Sequence, residues 1–190
     1  MMDLFSEHVA KESRILDFGC GYGRTLADLA SAGYSDLVGI DFSSSLIERG
    51  RQEYPELDLA AYPGGVLPYE ENSFDAAIML GVFTCMLETK TQAETLIELK
   101  RVIRPGGFLY ITDFLLNRDK RNLDRYQQGQ EKYGLYGVFD VEDGGVLRHH
   151  DRNHMEALFF DFETISFVET VYDTMHGHHS QGFYCLLRLP

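Results

Sequence analysis

Cysteines, basic residues and long apolar runs are all scarce in this chain, and each shortage removes a class of protein. Cys20, Cys85 and Cys185 are its three cysteines. That odd number without a Cys-x-x-Cys pair indicates neither a disulfide framework nor a structural zinc site. Each lies in or beside an apolar stretch and reads as a packing residue. Lys and Arg number 17 against 30 Asp and Glu, and the resulting net charge of −13 opposes the phosphate neutralisation on which nucleic-acid binding depends. Nucleic acid is therefore not expected as a partner. No stretch approaches the ~20 apolar residues that span a bilayer, and the opening MMDLFSEHVAKES has no apolar signal core. The expectation is a cytoplasmic protein without membrane contact.

What is present suits one globular domain over residues 1–190. Hydrophobic residues at 44% and charged residues at 25% are too apolar a mixture for disorder. Apolar runs that read as strands alternate with segments of helical period, which favours an α/β fold: a doubly wound, mostly parallel sheet with helices on both faces. Seven strands are expected, at Arg14 to Phe18, Leu37 to Asp41, Leu57 to Ala61, Phe74 to Leu80, Phe108 to Phe114, Ser166 to Thr174 and Phe183 to Leu189. The short polar loop His176 to Gln181 suits a hairpin, so the last strand runs antiparallel.

Two capping-box spacings, Ser45 with Glu48 and Thr91 with Glu94, predict helix starts after the second and fourth strands. Leu115 to His150 is too long for an ordinary connection and reads as a lid.

The strongest signal is Ile15-Leu16-Asp17-Phe18-Gly19-Cys20-Gly21-Tyr22-Gly23-Arg24, an apolar strand that runs into glycines and then into a helical segment. Without side chains at the turn a ligand can approach the backbone, and the helix beyond offers free N–H groups to an anion. Asp41 ends the next strand about twenty residues further on, the spacing of a ribose-hydroxyl acceptor. Phe42 beside it can cover an adenine. The residues thus suggest an adenosine ligand. The same pattern invites a nicotinamide reading, but G-x-G-x-x-G requires glycine where this chain has Arg24.

Asp17-x-Gly19-x-Gly21-x-Gly23 resembles the first motif of class I S-adenosylmethionine-dependent methyltransferases. Leu67-Pro68-Tyr69 with Ser73-Phe74-Asp75, and Arg101 to Gly107, resemble the stretches that lead into that family's fourth and fifth strands. The resemblance implies S-adenosylmethionine as cofactor, with Gly19 and Gly21 against its methionine part, Tyr22 and Gly23 also in the cofactor site, Asp17 near its amino group and Asp41 on its ribose. It also implies backbone of Leu80 and Gly81 beside the transferred methyl. The acid that many relatives direct at the adenine amino group is Pro63 here, so backbone at Gly64 or Gly65 is expected to substitute. A small-molecule acceptor is expected, and a non-catalytic binder of the same cofactor remains the alternative.

Six of seven histidines fall late, as His149, His150 and His154, then His176, His178 and His179. If the sixth strand runs parallel to the fifth, as the resemblance implies, both groups open at the carboxyl end of the sheet and rim the substrate pocket. Packing residues, a general base and a metal site are the competing readings. The candidate bases are His149, His150, His176 and Asp113, the last at the end of the fifth strand. No metal is expected, and Asp151 reads as a helix cap.

Overall fold

A computed structural model describes residues 2–142, 144–174 and 177–190. Among the described residues seven strands form one sheet, in the order β3-β2-β1-β4-β5-β9-β8. They are β1 (Arg14–Phe18), β2 (Asp36–Asp41), β3 (Asp58–Ala61), β4 (Phe74–Leu80), β5 (Ile103–Phe114), β8 (Glu163–Asp173) and β9 (His179–Arg188). The first five pair in parallel, and β9 runs antiparallel to both β5 and β8. The doubly wound fold class is borne out, and β8 runs parallel to β5.

Alternation along the central strands explains why both faces are covered. Leu16, Ala77 and Met79 pack on one face with Leu96, Leu99 and Val102 of α4 (Thr89–Val102) and Met155 of α6 (Arg152–Leu158). Ile15, Ala76 and Ile78 pack on the other, against Phe5, Leu26 and Ile47. Those three come from α1 (Met2–His8), α2 (Arg24–Ser31) and α3 (Ser44–Glu53). With period two, adjacent strand residues serve opposite cores, so a strand buried on both sides is apolar throughout.

Helix starts differ from expectation. Ser43, not Ser45, caps α3 by accepting the Leu46 N–H, and α4 begins at Thr89 after Glu88, without a side-chain cap. Asp151 does cap α6, accepting from the Asn153 N–H at 2.9 Å. Strand β5 starts at Ile103 rather than Phe108, because Ile103 already pairs with Phe74 before the register shifts at a bulge.

The expected lid is a folded insertion containing α5 (Lys120–Tyr133) and a hairpin of β6 (Val138–Asp140) and β7 (Val146–Arg148). Its two ends are tied where Leu115 bridges His150. Helix α5 sits on the hairpin through Gly129, where a Cβ would overlap the Val138 carbonyl oxygen. Gly129→Ala is expected to cost about 1–3 kcal/mol, as overpacking does, measured by urea denaturation. An unchanged midpoint would show that the helix rides free of the hairpin.

The parallel chain winds outward from β1 to β3 and then returns to β4 and β5, so the winding reverses between β1 and β4. A crevice outside the carboxyl ends of these strands is the binding place of such sheets. Among the described residues no helix is long and apolar enough to cross a membrane.

Candidate active site

The glycine turn and the acid of the neighbouring strand are joined directly. The N–H groups of Gly19 and Cys20 both donate to the Ile40 carbonyl, at 2.8 and 3.0 Å, so the turn is pinned to the end of β2. Asp41 then accepts the Gly21 N–H on Oδ2 and the Ser43 N–H on Oδ1, each at 2.8 Å. Gly19 has φ +82, and a Cβ there would stand 2.5 Å from Val82 Cγ2. Only glycine fits that backbone.

A crevice of about 940 Å³ opens at these strand ends, with Gly19, Asp41, Phe42, Gly64, Leu80 and Gly81 in its wall. Gly81 has φ +68 and nothing within 4 Å of its would-be Cβ, so the bare backbone forms a cradle that a side chain would fill. Pro63 lies in the loop Tyr62 to Val66, which also lines the crevice, and the Tyr62 N–H is held by the Asp41 carbonyl at 2.8 Å. Backbone of this loop can meet a planar base where the usual acid is missing. The residues present therefore fit an adenosyl group.

Asp17, Gly21, Tyr22 and Gly23 stand outside the lining. Tyr22 stacks on Tyr54 at 6.4 Å with the Arg49 guanidinium 3.9 Å over its ring, so it serves the packing of α3. Asp17 is buried behind the turn, and its carboxyl is pushed up to about 8 by burial and then by the charge of Asp41. A cation nearby would relieve both effects. The Cys20 thiol is also pushed up, by burial and by Asp17 and Asp41. Cys85 departs from the packing expectation: it is exposed and lines the crevice.

Among the described residues no histidine lines this crevice. His149 is buried with its ring stacked on Phe114 at 5.4 Å, and its Nδ1 lies 2.6 Å from the Tyr126 hydroxyl and 3.2 Å from Asn117 Nδ2. His150 is buried against Phe83 and His154, and neither ring nitrogen has a hydrogen-bond partner. Burial drives both imidazoles down to about 3, with Arg125 and Arg148 as the next contributors, so both are neutral. His176 lies outside the described residues. His178 and His179 line a separate cleft of about 440 Å³ with Arg118 and Arg121. Among the described residues no cluster of three or more His, Cys, Asp or Glu is placed to hold a metal.

Asp113 is likewise buried rather than in the crevice wall. It accepts the N–H groups of Phe114 at 2.8 Å and Thr84 at 3.2 Å, fastening the turn Phe83–Cys85 that follows Gly81. Burial raises its carboxyl to about 7 against the pull of those hydrogen bonds. The sequence reading missed the wall formed by α4, where Thr91, Glu94, Thr95 and Glu98 face the crevice. Their i, i+3, i+4, i+7 spacing was the available signal.

The profile described as "Methyltransferase domain" matches residues 16–111. The chain belongs to the methyltransferase-domain family. That membership bears out the resemblance to the class I methyltransferases. A demethylmenaquinone methyltransferase of Renibacterium salmoninarum is 35% identical over 101 residues, which is 53% of this chain and 41% of that protein. An O-methyltransferase of Aspergillus nomiae is 32% identical over 142 residues, covering 72% of this chain and 62% of the relative. The chain thus spans about two-fifths to three-fifths of the length of these relatives. A solved methyltransferase structure from Methanosarcina mazei superposes with a TM-score of 0.93 over 100% of this chain and 98% of its own, at 24% identity, a likeness of fold.

Proposed function

We propose that this methyltransferase-family chain acts as one catalytic domain over residues 1–190, in the cytoplasm, moving a methyl group from S-adenosylmethionine to a small-molecule acceptor. The observation that carries the reading is the bond between Gly21 and Asp41, which brings the turn and the acid to one spot at the mouth of the crevice. When bound, S-adenosylmethionine supplies a sulfonium methyl open to in-line attack. Asp41 has a lone pair left on each oxygen for the ribose hydroxyls. Phe42 covers the adenine, with backbone at Gly64 beside it. Gly19, Leu80 and Gly81 give backbone to the methionine part, and Asp17 sets a carboxylate behind the turn for its ammonium. Relatives named for demethylmenaquinone support a small acceptor, and the acidic charge weighs against nucleic acid, while a relative 33% identical over 119 residues is named as a tRNA methyltransferase.

The protein's work is to exclude water and align the acceptor, and no nucleophilic side chain is needed. His149, His150 and Asp113 are walled off from the crevice, so a base role for them would need the lid to move. The cofactor reading is tested by calorimetry: S-adenosylhomocysteine is expected to bind at micromolar Kd, while NADH gives no heat. NADH binding with no response to S-adenosylhomocysteine would reverse the reading. Transfer of labelled methyl into any component of a metabolite extract would exclude the pure binder.

A further inference from the structure

The crevice wall extends beyond the residues assigned to the adenosyl group, to Val82, Cys85, Met86 and a face of α4. Pockets that bury one drug-sized ligand run roughly 300–1,000 Å³, and at about 940 Å³ this one stands at the top of that range. Glycines and Asp41 occupy one end. Met86 and the face of α4 that bears Thr91, Glu94 and Thr95 form another stretch of the wall. Besides Phe42, already assigned to the adenine, Val66 and Ile97, which are 76% and 63% exposed, lie in the lining. Large apolar side chains gathered at one mouth mark a binding surface rather than scattered exposure.

Charge narrows the occupant. Asp41, Glu94 and Glu98 line the crevice and no Lys, Arg or His does, among the described residues. Glu98 is spoken for: it pairs with Arg101 at 2.8 Å and accepts the Leu67 N–H at 2.8 Å. Among the described residues Glu94 pairs with the exposed end of Lys90, at 3.8 Å, a contact too solvated to cancel its charge. Behind the wall lie two more buried carboxyls, Asp17 and Asp113. An anionic acceptor would surrender hydration beside Asp41 and Glu94 with no cationic side chain in the described lining to compensate. A neutral or cationic molecule meets no such penalty.

We propose that the acceptor lies along α4, between Met86 and Glu94, and is an apolar, ring-sized molecule bearing no negative charge. This rests on the cofactor reading above and adds the acceptor class.

The test uses three probes of one shape on the complex saturated with S-adenosylhomocysteine at pH 7.5: 2-naphthol, 2-naphthylmethylamine and 2-naphthoate. Naphthol and the amine are expected to bind at least tenfold tighter than naphthoate. Glu94→Lys should narrow that ratio at least fivefold, by strengthening naphthoate and weakening the amine, with circular dichroism melting of the variant confirming its fold. Naphthoate binding as tightly as the other two would overturn the proposal. So would failure of all three to bind a complex that holds S-adenosylhomocysteine, or an unmoved ratio in a folded Glu94→Lys. If S-adenosylhomocysteine itself does not bind, the cofactor reading has failed and the acceptor assignment falls with it.

Discussion

Asp41→Ala is expected to weaken S-adenosylhomocysteine binding about 100-fold, the equivalent of one or two charge-assisted hydrogen bonds at ~1.5–3 kcal/mol each. Two effects converge on this carboxylate. It accepts the Gly21 and Ser43 N–H groups at 2.8 Å, so its removal loosens the glycine turn and the entrance to α3. It also supplies the acceptors proposed for the ribose. Calorimetry with 5′-methylthioadenosine and its 2′,3′-dideoxy analogue separates the two. The wild-type protein should lose most of its affinity for the dideoxy compound, whereas Asp41→Ala should bind both alike, because the hydroxyls have lost their partner. A variant that still prefers the hydroxylated compound tenfold would show that Asp41 only braces the loops. Asp41→Asn is a useful intermediate, since one amide oxygen cannot serve both backbone donors.

This pairing shows why part of the site could be read without coordinates. A turn that places three glycines ahead of a helix is a local property, and an acid at the next strand end follows from the winding of a parallel sheet. Gly19, Asp41, Phe42, Leu80 and Gly81 were legible for that reason, and they meet in one crevice. The histidines were not legible. His149 and His150 follow β7, and whether they face ligand or core depends on how the insertion folds back to bridge Leu115. That is a long-range contact with no sequence period. Helix α1 was missed because a seven-residue helix with the single buried residue Phe5 shows no repeat. The cap of α3 was misplaced by two residues among three consecutive serines, where the backbone geometry at Ser43 decides.

The buried ionisable groups give the chain a pH profile in which stability runs roughly level from about pH 4 to 6.5 and then falls. Asp17 and Asp113 are raised from 3.8 to about 8 and about 7, first by burial. The folded state therefore keeps protons that the unfolded chain has already released, and stability drops as pH climbs from about 4 toward each folded value. His149 and His150 are lowered by burial from 6.5 to about 3, so the unfolded chain takes up protons first and stability drops as pH descends from 6.5. His154, also lowered by burial, adds to the acid side. Each group changes stability by about 1.4 kcal/mol per pH unit within its window. Between about 4 and 6.5 the carboxyl pair and the imidazole pair oppose each other. Above 6.5 only the carboxyls remain, and roughly 3 kcal/mol should be lost by pH 8, read from urea midpoints at pH 5.5, 6.5 and 8. Asp17→Asn should remove about two-thirds of that alkaline loss and Asp113→Asn most of the rest, because neither amide ionises and Asp113 is already charged above its folded value near 7. A cation held beside Asp17 favours its charged form, so saturating S-adenosylmethionine should stabilise the protein more at pH 8 than at pH 6. An alkaline slope that survives both substitutions would place the titrating groups elsewhere than Asp17 and Asp113.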